Sequence, residues 1–258
     1  MADIEKGRNT SYSRYEELIS RRDDLKKEAF QYHALYVRAF GDLILDLFKK
    51  KIECIQKKKT IEYCQAALNH GRGVNQDALQ AYLEKEMEEF QKQLQDMIND
   101  RESALKAAVV TQKNLLDIKR IYHKLVKLIH PDINPAVTTS PQLMDLWHRV
   151  SVCYSCNDLQ GLVELEVLVY KALESADIED LDIPDIEDKI LDLEKEIQHI
   201  MGTDPYQYKF LLEDKRAVEA KKEDLKKELK TYEEYGKQLD EVLEGIIGSG
   251  LKITWKMK

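Results

Sequence analysis

Between Gln76 and Ile129 the chain contains neither a glycine nor a proline. A continuous helix over that span would run roughly 80 Å at ~1.5 Å per residue. A soluble helix of that length cannot hide its apolar stripe alone, so it needs an antiparallel neighbour. The candidate lies just upstream, where residues 14–69 carry apolar side chains at helical spacing, among them Tyr15, Leu18, Ile19, Leu25, Phe40, Leu47 and Ile55. "NHGRGVN" at 69–75 separates the two, with Gly71 and Gly73 offering a C-cap and Asn75 an N-cap. Residues 11–69 and 76–115 therefore read as the arms of a long helical hairpin.

Composition agrees with long helices. Charged residues make up 34% of the 258, while Gly and Pro number 10 and 5, which argues against sandwiches and barrels. The formal net charge of −8 argues against general nucleic-acid binding, which needs a basic face for phosphates. No apolar run approaches the roughly 20 residues that span a bilayer, so no membrane partner is expected. The opening "MADIEKGRNTSYSRYEEL" lacks the apolar core of a secretory signal, so the expected location is the cytoplasm and the four cysteines read as free thiols. The lysine-rich "KKKIECIQKKK" at 49–59 reads as a solvated helix face.

Downstream, 141–157 and 158–175 read as two helices parted at Asn157-Asp158. "SADIEDLDIPDIED" at 175–188 is an acidic linker and a boundary. A helix over 185–201, a Gly/Pro turn "MGTDPY", and a long helix over 207–246 follow. On the last, Val218, Leu225, Tyr232, Leu239 and Ile246 recur every seven residues, while Lys222 and Gly236 interrupt the complementary positions. That seam fits an antiparallel hairpin better than a dimeric zipper, although heptad spacing also allows homo-oligomers through the arms. "GSGLKITWKMK" closes the chain as a short strand or a tail.

The informative corner is "IYHKLVKLIHPDINP" at 121–135. At 100° per residue, Ile118, Tyr122, Leu125 and Ile129 share one narrow sector, and Arg120, His123, Lys124 and Lys127 lie opposite. Pro131 stops the helix and disfavours the helical conformation at His130. Ser140 and Pro141 fit an N-cap and first position of a second helix, on which Trp147, Val150, Cys153 and Tyr154 would meet the Ile118 face. The expected product is two antiparallel helices joined by a loop that displays His130 and Asp132.

This pattern resembles the J-domain of DnaJ-type co-chaperones. "IKRIYHKLVKLIHPDINP" is similar to the family's second helix and His-Pro-Asp loop, with Ile118, Tyr122 and Leu125 in the core places. "LWHRVSVCY" is similar to its third helix, and "CNDLQGLVELE" to a helical extension found after some bacterial J-like domains. The resemblance covers roughly 115–160, and the family's first helix is not recognisable. It implies a partner, a DnaK-type ATP-dependent chaperone, whose ATPase this chain stimulates while delivering a client protein of unknown kind. Arg120, Lys124 and Lys127, with His123 helping, would hold an acidic surface of that partner. His130 and Asp132 would make directional polar contacts, and Pro131 would fix the corner.

No Gly-rich phosphate loop, Ser/His/Asp set or metal cluster is visible, so no intrinsic enzyme activity, cofactor or metal is expected. Cys153 and Cys156 have C-x-x-C spacing without a second ligand pair, and read as two buried thiols on one helix face rather than a zinc or redox site. The expected fold is all-α, with long helical hairpins as antiparallel coiled-coil arms flanking a J-like module. The segments are an N-terminal hairpin over 1–114, the module with its extension over 115–176, and a C-terminal hairpin and tail over 177–258. The competing expectation is a coiled-coil scaffold or adaptor in which the J-like module survives only as a vestigial packing unit.

Overall fold

Helix α1 spans Ala2–Asn69 and α2 spans Gln76–Lys106 in the computed structural model, which describes residues 2–106, 112–175 and 185–248. The others are α3 (Gln112–Ile129), α4 (Pro141–Ser155), α5 (Leu159–Ser175), α6 (Ile186–Gly202), α7 (Tyr208–Glu213) and α8 (Lys215–Gly248). A short 3-10 turn covers Pro135–Thr139. The fold is all-α among the described residues, and none of these helices is long and apolar enough to cross a membrane. Most of the acidic linker and all but one residue of the closing tail lie outside the described residues, at 176–184 and 249–258.

The punctuation works as the residues dictate. Gly71 adopts φ +63°, a left-handed conformation that glycine enters without cost. The Arg72 and Gly71 amides then donate to Ala67 and Leu68 carbonyls at 2.9 Å each, closing α1. The Asn75 side chain accepts the Ala78 amide at 3.1 Å and opens α2. Likewise Ser140 accepts from the Leu143 amide, with Pro141 at the first position of α4. Asp158 accepts the Gly161 amide at 2.9 Å and opens α5.

The chain divides into two compact units, each discontinuous in sequence, where three consecutive segments were expected. The first comprises Met1–His33 and Lys106–Lys209, the second Ala34–Leu105 and Phe210–Lys258. Helix α1 is long enough to contribute to both.

In the second unit a hairpin is present with shorter arms than expected, 34–69 and 76–105, because residues up to His33 belong to the first unit. Arg38 donates to the Ala104 carbonyl at 3.1 Å, Arg101 pairs with Asp42, Lys59 with Glu86, and the Tyr63 and Tyr82 rings meet at 5.4 Å. Numbers rise on one arm as they fall on the other, so α1 and α2 are antiparallel here. The heptad seam of α8 has a partner that differs from expectation. Leu239 is buried with Cys54 and Ile61 of α1, and Tyr232, Leu243 and Ile246 pack around them. Lys51 pairs with Glu228 and Lys57 with Asp240, both at 2.7 Å, so the two helices run in the same direction. Three lysines of the 49–59 stretch thus bridge between helices.

Gly236, which interrupts the seam, marks a close approach: a Cβ there would stand 3.5 Å from Cys54 Sγ and Lys50 Cε. That is ordinary contact, so Gly236→Ala should raise stability by about 0.5–1 kcal/mol through helix propensity alone. Urea unfolding of the full chain checks this, and a lower midpoint would mean that the backbones approach too closely for any side chain.

The first unit has a larger core. The Ile118 sector of α3 is buried as expected, and Ile121 and Val126 join it. Leu143, Leu146, Val150 and Tyr154 of α4 face it, with Leu162, Leu165 and Val169 of α5 and Leu193 and Ile197 of α6. Tyr15, Leu18, Ile19, Leu25 and Ala29 of α1 complete it. Tyr122 stacks on Tyr154 with centroids 3.7 Å apart, and Trp147 meets the His130 ring at 4.4 Å. These pairs set α3 and α4 antiparallel.

Candidate functional site

Helix α3 ends where Pro131 forbids its continuation. The His130 amide makes the final helical bond, to Val126 at 3.0 Å, and the His130 carbonyl then accepts from Ile133 and Asn134. The Asp132 amide donates to His130 Nδ1 at 3.0 Å. An accepting Nδ1 assigns the ring proton to Nε2 in the neutral imidazole. Burial, with a smaller contribution from Arg22, brings the His130 pKa down to about 4 against the opposing pull of Asp132 and Asp23. The ring is therefore neutral at physiological pH.

His130 is not displayed. The residue is 5% exposed, edge-on to Trp147, with Arg22 Nη2 3.5 Å from Nε2. The expectation of an exposed imidazole fails because α1 supplies a wall that local spacing cannot show. Asp132 does reach the surface: its side chain is 50% exposed, with Arg22 Nη1 at 3.8 Å. Arg22 also pairs with Asp23 at 2.8 Å and Glu196 at 4.0 Å, tying α1, the corner and α6 together.

The cationic stripe of α3 is largely engaged. Lys127 pairs with Glu16 at 3.1 Å and His123 with Asp24 at 3.1 Å. Lys119, which sequence reasoning did not select, pairs with Asp24 at 3.3 Å and Glu28 at 3.2 Å. Lys124 turns the other way, to Glu166 at 2.8 Å and the Tyr170 ring at 4.8 Å. Arg120 is 77% exposed and pairs with Asp117 one turn back on its own helix. Burial raises the Asp24 pKa, but hydrogen bonds from His123 and Tyr154 and the Lys119 charge outweigh it and hold the carboxyl below its ordinary value.

Two further groups went unseen in the sequence. Arg22 is one, although a signal existed: at 100° per residue it falls in the middle of the sector shared by Tyr15, Leu18, Ile19, Leu25 and Ala29. Lys27 is the other. It is 6% exposed, its Nζ has no hydrogen-bonding partner among the described residues, and it sits 3.7 Å above the Tyr154 ring.

Comparison with family models, curated proteins and solved structures finds no match. The site has to be read from its own geometry. Among the described residues no three His, Cys, Asp or Glu side chains converge as a metal site. The expectation of two buried thiols at Cys153 and Cys156 is corrected: Cys153 is half-buried and Cys156 is exposed, while Cys54 and Cys64 are the buried pair. The reason is helical phase: at 100° per residue Cys153 borders the sector of Leu146, Val150 and Tyr154, and Cys156 falls well outside it. Cys153 donates to the Asp158 carboxylate at 3.7 Å.

Proposed function

We propose that the chain is a J-domain-like co-chaperone that engages a DnaK-type chaperone through the end of α3 and the His-Pro-Asp corner, in the cytoplasm, and raises its ATPase rate. The observation that carries this reading is the corner itself. A proline-closed bend between antiparallel α3 and α4 holds Asp132 half-exposed, and its backbone is locked by the neutral His130 ring. Arg120, Lys124 and Lys127 of α3 have side chains more than half exposed despite their ion pairs. A positive rod ending in one carboxylate suits steering onto an acidic surface followed by a directional contact. The chemistry is the partner's, and this chain supplies shape and charge. The hairpin arms would carry the client.

The test is single-turnover ATP hydrolysis by a DnaK-type chaperone, with wild-type chain and with Asp132→Asn. Wild type should accelerate hydrolysis and Asp132→Asn should lose roughly ten- to a hundredfold of that effect, the loss of one charged hydrogen bond at about 1.5–3 kcal/mol. Unstimulated rates throughout would remove the proposal. A second reading, a helical scaffold or adaptor with a vestigial J-like module, is favoured by one observation: His123, Lys124 and Lys127 already have acidic partners within the first unit.

A further inference from the structure

The α1 segment that covers α3 pairs with several of its charged side chains. Glu16, Asp24 and Glu28 pair with Lys127, His123 and Lys119, and Arg22, one of four cations in the segment, stands beside the carboxylate of the corner, Asp132. Carboxylates placed for the α3 cations, with a guanidinium for Asp132, are what the co-chaperone reading asks of a partner, and α1 already provides them in the same chain. Beneath these pairs, Tyr15, Leu18, Ile19 and Leu25 are buried in the core they share with α3 and α4. Apolar burial anchors the segment, while the ion pairs set its register.

We propose that residues 16–28 of α1 are an intramolecular competitor for the partner-binding face of α3, so that a DnaK-type chaperone gains Lys119, His123, Lys127 and Asp132 only when this segment moves off them. The inference rests on the co-chaperone reading and adds regulation to it. Two occupants cannot hold one set of charges, so the partner's apparent affinity falls by the fraction of molecules that are open. In the resting chain that fraction is small, because opening exposes apolar α1 residues together with the charges. Full activity then requires something that favours the open form.

A covalent link tests this on the full chain. Glu28→Cys with Lys119→Cys, in a Cys156→Ser background, places two thiols where the 3.2 Å ion pair stood. One sample is joined by a short bifunctional thiol reagent, and the other has each thiol capped singly. The joined chain should stimulate single-turnover ATP hydrolysis by the chaperone roughly tenfold less than the capped chain. Glu16→Gln with Glu28→Gln, which removes attraction without disturbing the core, should stimulate more than wild type. Equal stimulation by joined and capped chains would overturn the competitor and leave the co-chaperone reading standing. No stimulation by wild type, capped or charge-neutralised chains would overturn both.

Discussion

Leu125→Ala is expected to destabilise the first unit by about 2–5 kcal/mol, the cost of removing a fully buried leucine from a packed core. Leu125 is 0% exposed and lies in the cluster that joins α1, α3, α4, α5 and α6. It also sits one turn before the corner, so the cavity would loosen the end of α3 and blur the placement of Asp132. Leu116→Ala on the same helix provides the contrast. Leu116 is 67% exposed, and its loss should stay within about 0.5 kcal/mol. Urea unfolding followed by Trp147 fluorescence measures both. Similar losses from the two variants would mean that α3 does not face the core as described.

Lys27→Met should act in the opposite direction. Burial lowers the Lys27 pKa from 10.5 to about 8, although Asp24 pulls it upward and the Tyr154 face lies under the ammonium. A lysine easier to deprotonate when folded than when unfolded destabilises the fold wherever it must be charged. Below pH 8 that penalty is fully present, about 3 kcal/mol at 1.36 kcal/mol per pKa unit. Between pH 8 and 10.5 the unfolded chain binds more protons, so this group makes stability rise with pH. Methionine has similar reach and no charge, and replacing a buried ion by an apolar residue of like volume is commonly stabilising by about 1–4 kcal/mol. The variant should therefore unfold later than wild type at pH 7, with the gap closing toward pH 10. A variant weaker than wild type at pH 7 would show that the ammonium–ring contact and Asp24 outweigh the desolvation.

The helices and their ends were legible because they depend on neighbours within a few residues. Ser140, Pro141, Asn75 and Gly71 do what capping chemistry requires wherever they occur. The buried face of α3 was legible for the same reason, since Ile118, Tyr122, Leu125 and Ile129 share a sector on any straight helix. The alignment of the α1–α2 arms also followed, because a short turn leaves two long helices little choice but to lie antiparallel.

What escaped were choices between partners far apart in sequence. The seam of α8 announces that it needs a partner, yet heptad spacing is blind to which helix answers and in which direction. The three-residue spacing of Cys153 and Cys156 suggests a shared face, but it does not say which side of that face the neighbouring helices cover. Arg22 shows the limit most clearly: its position inside an apolar sector was visible, but its reason was not, because Asp132 and Glu196 lie more than a hundred residues away.

The amino-acid order alone determined an all-helical chain, a proline-stopped basic helix, and the identity of the corner residues, since backbone preference and helical phase are local properties. The tertiary structure alone decided that the imidazole of that corner is buried beside Trp147 and Arg22, and that acidic groups of α1 already occupy much of the cationic face. Burial and charge pairing depend on what arrives from elsewhere in the chain, and a one-dimensional pattern carries no record of it.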